Sequence, residues 1–314
     1  MEVRQRDTTY LVGFLLAAGV LLFLGRDLLQ GSVLASWGLT FAGTTAVAVL
    51  GVSLYRVRID LQTSRKQLAR KEAELNFALE VQLALFPRQM PLCGGLEFTG
   101  VCIPAQGIGG DYYDVMRLPD GRVIFAIADI SGKGISAAIL MANLQASLRT
   151  LAGISDSPGD ICARLNNHLH EVTDASKFAT FFYAEWDGCD RRLRYVNAGH
   201  LPPIVSSNGG HTRLTLGGVP LGIFRGAAFE VGDISLEPGD MIVLYSDGVT
   251  EAPAGDGEQF GDHRLERVIK ENRDRPLSEV QARILDAVHG WSEEPEDDMT
   301  LLIARATLQP KEIQ

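Results

Sequence analysis

The sequence predicts an α+β domain of antiparallel sheets with helices packed outside, preceded by a long apolar helical segment. Three observations carry this. From Leu92 to about Leu308, short β-like runs are separated by Gly, Asp and Asn turns, with only a few helical stretches between them. Successive strands look hairpin-linked, which favours antiparallel pairing over crossovers. The first 55 residues hold two apolar runs unlike anything in the rest of the chain.

The first run, residues 8–24 (TTYLVGFLLAAGVLLFL), is about 17 residues long and is broken by Gly25-Arg26-Asp27. The second, residues 31–55, comfortably exceeds the roughly 20 apolar residues that a bilayer requires, whereas the first is marginal. A two-helix membrane hairpin, a cleaved signal peptide followed by one helix, and a buried soluble pair all remain open. No clean small-residue cleavage site follows Leu24, and a signal peptide leaves the second run unexplained, so the hairpin is favoured. Arg56, Arg58, Arg65, Lys66, Arg70 and Lys71 follow the second run, Arg4 and Arg6 precede the first, and only Arg26 lies between. Positive flanks stay in the cytoplasm. Residues 1–56 are therefore expected to be a multi-pass cell-membrane anchor, with the N-terminus and everything after residue 56 cytoplasmic.

Residues 57–91 read as an amphipathic linker helix. Leu61, Leu68, Leu75 and Gln82 form a seven-residue series, the spacing of a seam that pairs with a second copy of itself. A homodimer through this helix is expected, with a solvated linker as the alternative. Pro87 and Pro91 end the helix.

In the domain at 92–308, followed by a tail at 309–314, strand pairs are expected at Tyr112–Leu118 with Arg122–Ala128 across Pro119-Asp120-Gly121, and at Phe178–Trp186 with Arg191–Asn197. Ile204–Ser206 with Thr212–Leu216 makes a third pair, and Met241–Tyr245 and Thr300–Ala304 are compact apolar strands. Helices are expected near 134–152, 158–172 and 277–290. The 46% hydrophobic and 22% charged composition excludes a disordered chain. The formal charge of −10 makes nucleic acid a poor partner. The four cysteines form no CxxC pair and read as reduced thiols rather than a disulfide framework or zinc site.

The informative residues are aspartates at strand ends. Asp129 ends an apolar strand before Ser131-Gly132-Lys133-Gly134, Asp247 ends another before Gly248, Asp297 and Asp298 precede a third, and Asp111 opens a strand after Gly109-Gly110. Asp residues favour turns, so any one of these alone is unremarkable. A hairpin centred on Asp120 sharpens the pattern, because 120 − 111 = 129 − 120 = 9, so Asp111 and Asp129 face each other at its open end. Directly opposed Cβ atoms lie about 5 Å apart. Two carboxylates that close repel unless one takes a proton or a cation sits between them. Hard oxygen ligands favour Mg²⁺ or Mn²⁺, and no His/Cys set competes. A one-residue slip in register would break the alignment.

These residues sit in segments that resemble a known family. GGDYYD (109–114), IADISGKG (127–134), FATFFY (178–183), NAGHLPP (197–203), LGGVPLGI (216–223), YSDGVTEA (245–252) and DDMTLL (297–302) have the order and spacing of the bacterial SpoIIE/RsbU branch of the PPM-type serine/threonine phosphatases, similar to protein phosphatase 2C. The resemblance covers about residues 75–306. It implies a β-sandwich of two antiparallel sheets flanked by helices and two Mn²⁺ or Mg²⁺ ions at one end. By resemblance, Asp129 bridges the ions, Asp111 and the carbonyl of Ile130 bind one, and Asp247 and Asp297 bind the other. Asp298 supports the site, which of Asp297 and Asp298 is the ligand stays open, and Asp114 lies nearby, either backing a metal ligand or orienting water. Two cations neutralise a phosphomonoester and activate water, with no covalent phosphoenzyme. Lys133 stands where many relatives carry His, which leaves the general acid open.

His200 in NAGH fits a structural role better than a metal ligand, and His168 and His170, two apart on a helix, point to different faces. Residues 77–91 resemble the helix that couples an upstream input to such domains. The implied substrate is a phosphorylated regulatory protein of the anti-sigma-factor-antagonist (STAS) type. A small-molecule phosphohydrolase and a non-catalytic membrane-tethered module are the alternatives.

Overall fold

The computed structural model describes residues 20, 33–90, 95–105, 107–154, 157–173, 176–292 and 296–308. It divides into two units, Met1–Glu72 and Ala73–Gln314. The first is dominated by helix α1 (Val33–Leu83, 51 residues), which continues into the second. The second apolar run and the linker are therefore one helix rather than two elements. The reason is local: from Val52 to Leu83 no Gly or Pro interrupts the backbone. Between Trp37 and Leu83 this helix has a window long and apolar enough to cross a membrane, none of it buried. Trp37 and Phe41 are 72% and 74% exposed. The other apolar run, 8–24, lies outside the described residues apart from Val20. Among the described residues there is one such helix, where a hairpin of two was expected.

The second unit starts with the last turns of α1 and continues through β1 (Leu96–Ile103), β2 (Tyr112–Arg117), β3 (Val123–Ile130), α2 (Ile135–Leu151), α3 (Pro158–Val172), β4 (Ala179–Asp187) and β5 (Arg192–Ala198). It proceeds through β6 (Ile204–Ser207), β7 (Gly210–Arg213), β8 (Gly217–Gly218), β9 (Gly232–Ser235) and β10 (Met241–Tyr245). It ends with α4 (Asp247–Thr250), α5 (Gly261–Asn272), α6 (Leu277–His289) and β11 (Met299–Ala306). One sheet runs β1-β11-β10-β6-β7, the other β2-β3-β4-β5-β8 with β9 on β5. All pairings are antiparallel except β5 with β8. The expected α+β architecture of two sheets flanked by helices is what forms.

The layers follow from side-chain periodicity. On α2, Ala137, Leu140, Met141, Leu144 and Leu148 recur at helical spacing and are buried against β2 and β3. α3 lies beside it over β4 and β5. On the outer face of the other sheet, Met241, Val243, Tyr245, Leu301 and Ile303 meet Leu265, Ile269, Val280, Ile284 and Val288 of α5 and α6. Between the sheets, Phe98 meets Phe125 edge-on with ring centroids 5.5 Å apart. Burying one such side chain fully is worth about 1.5–3 kcal/mol.

Five elements lie outside the sequence reading, two of them, β8 (Gly217–Gly218) and α4 (Asp247–Thr250), only two and four residues long. β1 pairs with β11, joining the two ends of the domain rather than a hairpin neighbour. β9 is a short strand on β5. α5 has only Leu265 and Ile269 buried, too thin an apolar stripe to stand out in GDHRLERVIKEN.

Candidate active site

The site is built at the end of the sandwich where the β2–β3 hairpin opens. The last ladder pair is Tyr112↔Ala128, so Asp111 and Asp129 form the next, in the register counted from Asp120. Asp111 is 2% exposed, and its Oδ2 is buried without a hydrogen-bond partner. Burial first, and then the charge of Asp129, hold its carboxyl well above the usual carboxylate range, against the opposing pull of Thr300 and Ser246 from the other sheet. Burial, followed by repulsion from Asp247, Asp297 and Asp298, pushes Asp129 up to about 7. Asp247, the first residue of α4, is raised by burial and by Asp297. Charges from β3, α4 and the approach to β11 thus act on one another at one mouth.

The backbone around this mouth is tied down by Asp298. Its Oδ1 accepts the Ala105 N–H and its Oδ2 the Gly110 N–H, each at 3.0 Å. Gly109 permits this, because a Cβ there would come within 1.8 Å of Asp298 Oδ2. The Ile130 carbonyl lies against Gly110, 2.8 Å from where a Cβ would stand. Ser246 Oγ donates to the Asp298 carbonyl at 3.0 Å and accepts the Thr300 N–H at 2.9 Å, locking β10 to β11. Asp297 is less committed. Its Oδ1 accepts the Asp298 N–H, and its Oδ2 meets Lys133 Nζ at 3.0 Å. A cavity of about 70 Å³ opens here, lined by Gly109, Gly110, Asp129, Lys133, Asp297 and Asp298 among others.

The donor chemistry fits a hard divalent cation: clustered carboxylates whose charges conflict, and a buried carboxylate oxygen with no partner. Among the described residues, no three His, Cys, Asp or Glu side chains already stand close enough to hold an ion. The Lys133 ammonium holds Asp297.

Asp114 is not where the sequence reading placed it. It lies three residues from Asp111, and strand alternation turns it to the opposite face of the sheet, toward α2. There Arg149 clasps both of its oxygens at 2.8 and 2.9 Å, the Tyr112 hydroxyl donates at 2.6 Å and the Val115 N–H at 2.9 Å. It anchors α2 to β2 and does not orient water at the cavity. Arg149 escaped notice, although it is the one charged residue in ISAAILMANLQASLRTL.

His200 is buried. Its Nδ1 pairs with Thr180 Oγ1 at 2.9 Å, its Nε2 with the Tyr245 carbonyl at 3.2 Å, and its N–H donates to Asn197 Oδ1. It thus ties β4 to β10. His168 pairs with Asn143 and His170 with the Gly222 carbonyl, so the two do not converge. Cys102, Cys162 and Cys189 are free thiols, and Cys93 lies outside the described residues. Gln82 is the last position of the heptad series. It is buried, donating to the Gly109 carbonyl at 2.7 Å and accepting the Gly109 N–H at 3.3 Å. A larger cleft of about 330 Å³ includes Arg122, Glu185, Arg192, Arg194 and Asp233, beside the turns at the far ends of β2–β3 and β4–β5. Glu185 is engaged with Arg122 and Arg194, and Asp233 with Arg192, and none of Asp111, Asp129, Asp247, Asp297 and Asp298 lines it.

Residues 119–307 match the family described as Stage II sporulation protein E (SpoIIE). The phosphoserine phosphatase RsbU of Bacillus subtilis is 32% identical over 248 residues, covering 78% of this chain and 73% of RsbU. The phosphoserine phosphatase RsbP of the same organism is 27% identical over 59% of this chain and 46% of its own length. Among solved structures, the SiaA PP2C domain of Pseudomonas aeruginosa superposes with a TM-score of 0.67 at 20% identity, covering 76% of this chain and 98% of that domain. RsbX in complex with magnesium gives a TM-score of 0.54 at 18% identity, covering 70% of this chain and 99% of RsbX. With its two sheets in the PP2C arrangement and this match running through Asp129, Asp247 and Asp297, the chain belongs to the SpoIIE/RsbU family of serine phosphatases.

Proposed function

We propose that this phosphatase hydrolyses phosphoserine or phosphothreonine on a regulatory protein of the anti-sigma-factor-antagonist (STAS) type, with two Mn²⁺ or Mg²⁺ ions held by Asp111, Asp129, the Ile130 carbonyl, Asp247 and Asp297. The observation that carries the reading is the buried, unpartnered Asp111 Oδ2 opposite Asp129 at the mouth of the sandwich. The names of RsbU and RsbP, both phosphoserine phosphatases, and the magnesium complex of RsbX support it.

Bound divalent ions neutralise the phosphate dianion and acidify water for attack on phosphorus. The chain's own part is to hold the ligands. Asp298 is committed to backbone amides, which leaves Asp297 as the better ligand of the pair. Asp298 and Gln82 together fix residues 105–110, and so the position of Asp111. Lys133 offsets part of the negative charge and stands at the mouth where a phosphate arrives.

The exposed apolar part of α1 is proposed to cross a membrane, with the arginine-rich side at Arg56 and Arg58 cytoplasmic. Leu61, Leu68 and Leu75, all exposed, are proposed to pair two copies of the chain. The last turns of α1 reach Gly109 and provide the route by which that helix sets the site.

Phosphate release from a serine-phosphorylated STAS protein in Mn²⁺, with chelation as control, tests the reading. Asp129→Asn and Asp247→Asn are expected to lower the rate at least 100-fold, about 2.7 kcal/mol of transition-state stabilisation. Undiminished rates in both variants would remove the mechanism. Faster release from a nucleotide than from the phosphoprotein would favour the small-molecule alternative.

A further inference from the structure

We propose that the loop between β3 and α2, with the first two turns of α2, is a docking edge for the phosphorylated face of a folded protein substrate. The inference rests on the phosphatase reading above and adds a substrate-recognition surface to it. One side of α2 is spent on the core through Ala137, Leu140, Met141, Leu144 and Leu148. Its outward side carries Ile135 and Ile139, one turn apart and 53% and 66% exposed. Two isoleucines bared side by side on one helical face make a small apolar patch beside the cavity.

Their position says what covers them. Gly132, Lys133 and Gly134 line the cavity, and Ile135 is the next residue. Two ammonium groups flank the same loop. The Lys133 side chain is 60% exposed, and Lys177 Nζ lies 3.5 Å from the Ser131 carbonyl and 2.6 Å from where a Cβ on Gly132 would stand. The edge therefore carries two ammonium groups beside an acidic cavity, Lys133 in an ion pair with Asp297, and apolar surface immediately beyond them. A phosphoresidue set in a folded protein, with apolar side chains beside it, offers the complement: a dianion for the lysines and a small apolar patch for the isoleucines. A small phosphoester would fill the cavity and leave Ile135 and Ile139 bare. A second copy of this chain is a poor occupant, because two side chains fall far short of the roughly 800 Å² per partner of a stable interface. A substrate that must leave after each turnover needs only a small contact.

The test uses the full chain in detergent micelles with Mn²⁺ and three substrates: a serine-phosphorylated STAS-domain protein, a phosphoserine peptide with the same local sequence, and p-nitrophenyl phosphate. In Ile135→Ala/Ile139→Ala, which keeps good helix formers at both positions, kcat/KM on the folded phosphoprotein is expected to fall at least tenfold, through KM. The peptide and p-nitrophenyl phosphate should stay within twofold. Ile135→Leu/Ile139→Leu should recover most of the loss. An unchanged KM for the folded phosphoprotein, or an equal fall on all three substrates, overturns the docking edge while leaving the phosphatase intact. A variant that sediments as a smaller species with catalysis unchanged assigns the isoleucines to self-association and likewise overturns it. Wild-type chain inactive on all three substrates would sink the phosphatase reading itself, and the docking edge with it.

Discussion

His200 shows how much a single buried ring contributes at a distance from the chemistry. Burial lowers its pKa from 6.5 to about 4, opposed by the hydrogen bond to the Tyr245 carbonyl. The folded chain therefore keeps it neutral where the unfolded chain would take a proton. Stability from this group is complete above pH 6.5 and drains away as pH falls from 6.5 toward 4, on the order of 3 kcal/mol in all. Denaturation of the full chain at pH 7 and pH 4.5 is expected to show a larger acid loss in wild type than in His200→Asn, which keeps a donor and an acceptor but does not titrate there. Parallel losses would rule His200 out as the cause. The same scale shows which residue roles can be read from sequence. The Asp111–Asp129 pairing was legible because a hairpin register is a matter of counting from its turn. The role of Asp114 was not, because its partner Arg149 lies 35 residues away on another element. The bond partners of Asp298 were hidden for the same reason: only the fold brings the amides of Ala105 and Gly110 to it.

At the scale of elements, one heptad series along α1 ends in two different ways. Leu61, Leu68 and Leu75 stay exposed, as a seam awaiting a partner would, while Gln82 turns inward onto Gly109. Heptad spacing could not distinguish them, since a polar residue in a seam position is common in paired helices. Removing the Gln82 amide strands the buried Gly109 N–H and carbonyl, a cost of about 1–3 kcal/mol. It also loosens the segment that leads into Asp111. Gln82→Leu is therefore expected to lower kcat on a phosphopeptide at least fivefold with KM changed less than twofold. Loss of thermal stability with kcat intact would make Gln82 structural only. Most strands and helices were legible from turn residues and apolar spacing. α5 was not, because two buried residues in twelve leave no clear stripe. β1 was not, because its partner β11 lies some 200 residues along the chain.

At the scale of the whole molecule, an acidic catalytic unit follows a helix whose apolar window is wholly exposed. A bilayer suits such a window, which is the basis of the membrane crossing proposed above. The full chain is expected to pellet with membranes and to be released by detergent but not by high salt, and Val47→Lys/Val49→Lys to shift it toward the soluble fraction. Release of the unaltered chain by salt alone would contradict the tether. What the sequence by itself determined is what near neighbours decide: the apolar run, the hairpin register, the acidic residues at strand ends and the order of the family's motifs. These depend on length, alternation and turn chemistry within a few tens of residues. Only the tertiary structure decided which aspartates face the cavity, which are spent on amides or on arginine, and which stretch of α1 closes onto the site. Those outcomes depend on hydrogen bonds between groups far apart in the chain, and no local pattern encodes their distances.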